Sequence, residues 1–184
     1  MRALLSARFA GARRPALKQN DVAFLADSML GSVARKLRIF GFDTLYIAHA
    51  DDSEILKIGV DQRRVILTAD KELFKRMVKA DAVGVLVSGV SELEDLVHIL
   101  SKNGITSLGE QGIGSRCSMC NGLLEDRRPD EVGEGIPVKV TANHAKFFQC
   151  ADCGKVYWEG SHLRRIRALI KSVDSRLARA AATT

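Results

Sequence analysis

The sequence predicts an α/β fold: a mainly parallel sheet flanked by helices, then a small cysteine-bearing module and a basic C-terminal helix. Three observations predict it. Between residues 21 and 104, apolar runs alternate four times with stretches of helical periodicity, the rhythm of β-α units whose strands are buried on both faces. After the glycine-rich stretch TSLGEQGIGS (106–115) this rhythm stops, and both C-x2-C pairs fall beyond it. From Ser161, the stripe Leu163, Ile166, Ile170, Val173 and Leu177 recurs at helical spacing, with Arg164, Arg167 and Lys171 along another side. These observations set the expected boundaries: a basic, disordered extension over 1–20, an α/β domain over 21–110, the cysteine module over 111–162, and a basic helix and tail over 163–184.

Each element has a local reason. VAFLAD (22–27) reads as a buried strand, and GSVARKLRIFG (31–41) as a helix with Val33, Leu37 and Phe40 on one face and Gly41 as its stop. DTLYIA (43–48) is the second strand, and DSEILKIGVDQ (52–62) the helix that Asp51 or Asp52 opens. RVILTAD (64–70) is the third strand, followed by a helix over 71–80 that carries Leu73, Phe74, Met77 and Val78. AVGVLVS (82–88) is the fourth strand. The last helix of the series, 91–104, starts in a capping box of Ser91 and Glu94 and turns Leu93, Leu96, Val97 and Leu100 inward. In the cysteine module, IPVKVTAN (136–143) and AKFFQC (145–150) are expected to form the strands of a hairpin. The stripe of the final helix is left to dock on the body or on a second copy.

Composition bounds the class. Of 184 residues, 46% are apolar and 27% charged, ordinary values for a globular protein, and no apolar run has the length of a membrane helix. Residues 1–20 hold five basic residues and no acid, and residues 161–184 hold six basic residues against one acid. With a net charge of +6, the stretch between them is net acidic. Basic ends on an acidic body point to a polyanionic partner gripped from the periphery; solvated surface is the plainer alternative. The first twenty residues lack a secretory pattern. An Arg-rich, acid-free segment also has transit-peptide composition, but we read it as a loose extension and place the protein in the cytoplasm.

The strand ends carry the chemistry. Asp27 closes the first strand, Asp51 and Asp52 follow the second, and Asp70 follows the third. In a parallel sheet these positions reach the same edge, where converging carboxylates repel one another unless a cation joins them. Mg2+ or Mn2+ suits such oxygen donors and leaves room for a substrate phosphate. The competing reading is helix capping, natural for Asp70 and for Asp51 or Asp52, less obvious for Asp27.

The pairs Cys117/Cys120 and Cys150/Cys153 have zinc-knuckle spacing, and four thiolates fill a tetrahedral Zn2+ shell, leaving a structural site with no open position. Two disulfides or a redox pair are the rival readings. His144 is read as a loop residue and His162 as a capping or surface residue. Tyr157 and Trp158 are candidates for stacking on bases, with packing on the knuckle preferred for Trp158.

These residues also carry a resemblance. FLADSMLGSVARKLRIFGFDT (24–44), DDSEILKI (51–58) and RVILTADKEL (64–73) resemble the PIN-like ribonuclease module of the Mut-seven carboxy-terminal domain family. SRCSMCNGLL (115–124) and FFQCADCGKVYWEGSH (147–162) resemble the zinc ribbon behind that module. The resemblance implies a PIN-like fold followed by a zinc ribbon, and metal-dependent hydrolysis of RNA. It implies that Asp27, Asp52 and Asp70 are the catalytic ligands of Mg2+ or Mn2+, with Asp51 and Glu54 as reserves for the second position. Arg35 and Arg38 match a basic helix pattern that meets phosphate. A fourth acidic ligand has no clear match among Glu92, Glu94 and Asp95, which favours one tightly held ion over two. Arg164, Arg165, Arg167 and Lys171 are expected to hold single-stranded RNA, with no membrane partner. The alternative is a non-catalytic RNA- or ribosome-binding protein. A nuclease silenced by a partner is a third reading that rests on analogy.

Overall fold

The computed structural model describes residues 22–109, 112–132 and 136–182. The expected basic extension over 1–20 lies outside the described residues. Four β-α units follow in order: β1 (Ala23–Ala26), α1 (Gly31–Ile39), β2 (Asp43–Tyr46), α2 (Asp52–Asp61), β3 (Val65–Thr68), α3 (Lys71–Lys79), β4 (Gly84–Leu86) and α4 (Glu92–Lys102). A 3-10 turn, Ser28–Leu30, separates β1 from α1. The sheet order is β2-β1-β3-β4, and every pairing is parallel.

The apolar strands are buried on both faces, as a parallel sheet requires. Phe24, Ala26, Leu67 and Val85 face one layer with Val33 and Leu37 of α1 and Leu96, Ile99 and Leu100 of α4. Leu25 and Ile66, one residue out of phase, face the other layer with Ile55 of α2 and Leu73 and Met77 of α3. Gly84 is where this second layer comes closest: a Cβ there would collide with Met77 and lie 2.7 Å from the Ile66 carbonyl oxygen.

The second module is a three-stranded antiparallel sheet of β5 (Leu124–Arg127), β6 (Phe147–Cys150) and β7 (Val156–Trp158), in the order β5-β6-β7. The expected hairpin is corrected here. Residues 138–143 form a short helix, α5 (Val138–Asn143), and it is β5 that pairs with β6. The chain leaving Cys120 turns straight back as β5 and puts Leu124 opposite Cys150, so that edge of β6 is already taken.

The last helix, α6 (Ser161–Ala182), docks on the body. Ile170, Val173 and Leu177 are buried in the α1–α4 core layer. Asp174 accepts the Leu108 N–H at 2.7 Å, and Arg176 meets Glu94 at 3.5 Å. Among the described residues, no helix is long and apolar enough to cross a membrane.

Candidate active edge and cysteine cluster

The strand-end aspartates cap the segments that follow them. Asp27 Oδ1 accepts the Met29 N–H at 2.8 Å, so it does cap the 3-10 turn. Asp51 Oδ1 accepts the Glu54 N–H at 2.9 Å at the start of α2. Asp70 Oδ1 accepts the N–H groups of Glu72 at 2.6 Å and Leu73 at 3.3 Å at the start of α3.

One hydroxyl ties two of them together. Thr68, at the end of β3 and fully buried, donates its Oγ1–H to Asp27 Oδ2 and accepts the Asp70 N–H at 2.9 Å. Because β1 and β3 are neighbours in the sheet, Asp27 and Asp70 are joined at one edge. Asp27 is 6% exposed and, among the described residues, has no ion pair; its partners are a backbone amide and a hydroxyl. A carboxylate taken out of water without a cation is costly.

Asp52 is turned to another partner. Its Oδ2 lies 2.7 Å from Arg76 Nη1, and Arg76 Nη2 donates to Ser53 Oγ at 3.0 Å. Glu54 is exposed. Asp95 is buried and accepts from Ser88 N–H (3.0 Å), Ser88 Oγ–H (2.9 Å) and Gly89 N–H (3.1 Å), which commits it to the loop after β4. Glu92 pairs with Lys36 at 3.2 Å and accepts a hydrogen bond from Ser32. Among the described residues, the one group of three or more His, Cys, Asp or Glu with ligand atoms gathered within 4.8 Å is the cysteine cluster.

That cluster is built from two equivalent turns. In the first, Asn121 donates its N–H to the Cys117 carbonyl oxygen at 2.9 Å, with φ of 76°. In the second, Gly154 donates to the Cys150 carbonyl oxygen at 3.0 Å, with φ of 71°. Each turn delivers one buried and one exposed sulfur. The cross-pairs stand 3.7 Å (Cys117–Cys153) and 3.4 Å (Cys120–Cys150) apart, far beyond the ~2.05 Å of a disulfide. Burial opposes ionisation of Cys117, but hydrogen bonds with the Tyr157 hydroxyl and the N–H groups of Cys120 and Met119 bring its thiol down to about 6. The Gly122 N–H favours the Cys120 thiolate, yet burial and the neighbouring thiols push Cys120 up to about 12. Four sulfurs gathered this closely, none of them in a disulfide, are a donor set that would suit a divalent cation. His144 lies in the loop after α5 and His162 near the start of α6, both outside the cluster.

The joint between ribbon and sheet corrects one expectation. Arg38, expected to meet phosphate, is 5% exposed. Its Nε donates to the Thr44 carbonyl oxygen at 2.8 Å, and its Nη1 donates to those of Met119 (2.8 Å) and Ser118 (3.2 Å). Burial lowers its pKa, partly offset by the sulfurs of Cys120 and Cys117. Beside it, Asn121 Oδ1 accepts the Thr44 N–H at 2.9 Å and Asn121 Nδ2 donates to Asp43 at 2.8 Å. Asp43 in turn pairs with Arg64 at 2.8 Å. Sequence reasoning missed Asn121. Its signal was a non-glycine residue after the first C-x2-C where glycine follows the second.

Arg35, Arg164, Arg165, Arg167 and Lys171 are exposed. Tyr157, not Trp158, packs on the knuckle, its hydroxyl 3.0 Å from Cys117 Sγ and 3.2 Å from Ser118 Oγ. Trp158 is 37% exposed.

A comparison with curated proteins returned no match. The family model described as Mut7-C RNAse domain matches residues 22–170, from the first strand through the ribbon and into α6. The chain belongs to the Mut7-C RNAse domain family.

Proposed function

We propose that this protein hydrolyses the phosphodiester bonds of single-stranded RNA with the help of Mg2+ or Mn2+. The observation that carries the reading is Asp27: a buried carboxylate with no ion pair among the described residues, fixed through Thr68 to the backbone of Asp70. The donor chemistry fits a hard cation that takes one or two carboxylates and keeps several waters. Asp27 and Asp70 would hold it, and Asp52 would join on leaving Arg76. Such an ion lowers the pKa of water and offsets charge gathering on phosphate. Thr68 holds Asp27 and Asp70 in register, and the caps at Met29, Glu72 and Leu73 fix how the two carboxylates point. Arg164, Arg165, Arg167 and Lys171 supply cations to the RNA backbone. Cys117, Cys120, Cys150 and Cys153 hold a structural Zn2+, the ion that four thiolates with no open position suit best. The cytoplasm is the compartment proposed, where thiols stay reduced.

Cleavage of end-labelled single-stranded RNA, with Mg2+, with Mn2+ and with neither, tests this in wild type, Asp27→Asn and Asp70→Asn. Wild type should cut only with the ion. Asp70→Asn should lose cleavage but keep RNA binding and most of its stability, because Asn caps a helix about as well as Asp. Cleavage by Asp70→Asn at the wild-type rate would refute the assignment.

The second reading, a non-catalytic RNA- or ribosome-binding protein, is favoured by one observation: Asp52 is paired to Arg76 and Asp95 to its own loop. RNA binding that needs no divalent ion, without cleavage, is its signature.

A further inference from the structure

We propose that the cleft between the ribbon and α6 takes a base and the adjoining phosphates of single-stranded RNA, at a site separate from the strand-end carboxylates. This rests on the reading of the chain as acting on RNA. The cleft has a volume of about 770 Å3, within the range of roughly 300–1,000 Å3 typical of small-molecule sites. None of Asp27, Asp52 and Asp70 lines it.

Aliphatic side chains of Ile39, Ile113, Leu124, Leu163, Ile166 and Ile170 form part of its lining, and two further chemistries join them. Phe148, Tyr157 and Trp158 come from β6 and β7 of the ribbon, and the Tyr157 hydroxyl is anchored at the cysteine knuckle while Trp158 stays partly exposed. Arg116, Arg167 and Lys171 bring positive charge from the ribbon and from the facing side of α6, with His162 near the helix start. Two acids also line the cleft, Glu159 and Asp174, and Asp174 is already bonded to the Leu108 N–H. An apolar peptide would gain from the aromatic wall but would strand the cations. A bare anion would use the cations but leave the aromatics idle. A nucleotide of a single strand uses both, its base stacking on a ring and its phosphates meeting Arg and Lys. A duplex keeps its bases stacked inside and offers the rings nothing.

Trp158 is the sole tryptophan of the chain, so its emission reports directly on the cleft. The probes are oligouridylate of about eight nucleotides, a length within ordinary single-strand site sizes, and an RNA duplex of equal length. Both are titrated into the full-length Asp27→Asn protein without added Mg2+, with binding followed in parallel by gel mobility. The single strand should quench Trp158 saturably and the duplex should not. Arg167→Gln with Lys171→Gln, two exposed positions that leave the core untouched, should weaken the single strand about tenfold at low salt. The same pair should make the log–log salt slope shallower by about 1.4, at about 0.7 for each lost phosphate contact. RNA binding without any change in Trp158 emission, equal quenching by the duplex, or an unaltered salt slope in the double variant would each overturn the cleft assignment. Magnesium-dependent cleavage by wild type, measured alongside, keeps the two readings apart: cleavage with a silent Trp158 removes the cleft alone, whereas neither binding nor cleavage removes both.

Discussion

Asn121→Gly sets two opposed effects against each other at the joint between ribbon and sheet. Asn121 has φ of 76°, a conformation that costs a typical residue about 1–2 kcal/mol and Asn somewhat less, so glycine relieves at most about 1 kcal/mol. The same change deletes the acceptor for the Thr44 N–H, and Thr44 is fully buried on edge strand β2. An orphaned buried donor costs about 1–3 kcal/mol. The second lost bond, from Nδ2 to Asp43, is worth less than a buried charged bond, because Asp43 stays partly exposed and keeps Arg64. The loss wins, and the variant should be about 2 kcal/mol less stable. Urea unfolding of the metal-loaded protein, followed by far-ultraviolet circular dichroism, measures this. Asn121→Ala should fall lower still, since it loses the bonds and keeps the strain. Should Asn121→Gly match or exceed wild type, the residue would be present for its turn alone and the docking argument would fail.

Other perturbations read other parts of the chain. Leu177→Ala empties a buried site in the α1–α4 core layer and should cost about 2–5 kcal/mol in the same assay; a neutral result would mean that α6 lies loosely on the body. Stripping metal from the four cysteines should unfold the ribbon selectively, since structural zinc contributes on the order of 10 kcal/mol to such modules. Limited proteolysis should then cut within 116–158 and spare the parallel sheet; unchanged resistance after verified metal loss contradicts this. Burial alone would raise the Asp43 carboxyl, but hydrogen bonds from Arg64 and Asn121 outweigh it and hold the group below the usual carboxylate range. A depressed folded pKa contributes stability above the unfolded value of about 3.9, and that stability is lost as pH falls through the folded value. The advantage of wild type over Asp43→Asn should therefore be full at neutral pH and vanish at the acid end; an advantage that persists there would point to shape, not charge.

The β-α series was legible because a sheet buried on both faces writes continuous apolar runs, and helices write their period beside them. Ser91 announced the start of α4, and its hydroxyl does cap the Glu94 N–H at 3.4 Å. What misled was local pattern without tertiary context. The V-K-V of 138–140 alternates like a strand, whereas L-E-D-R at 124–127 is too polar to read as one; yet chain reversal after the first knuckle puts the polar segment next to β6. Arg38 looked like a surface cation because arginine mostly is one. Its position beside Leu37 and one turn after Ala34, both buried, was the sign that it points inward. The stripe of α6 was plain, but no sequence rule said which surface would cover it.

The acidic edge calls for a different physical account from simple crowding. Repulsion among strand-end carboxylates was expected to demand a cation, but Asp51 and Asp70 sit at the N-termini of α2 and α3, where the peptide dipoles favour negative charge by about 0.3–1 kcal/mol each. Asp52, in the first turn of α2, has Arg76 besides. An acidic edge so supported is tolerable with no ion at all, and the gathering of aspartates alone does not argue for catalysis. Asp27 differs. It caps a 3-10 turn that runs straight into α1, so it too gains from peptide dipoles, but it is buried where the others have solvent or arginine. Burial without a cationic partner among the described residues therefore sets Asp27 apart from Asp52 and Asp70, and the Thr68 hydroxyl links it to the neighbouring strand.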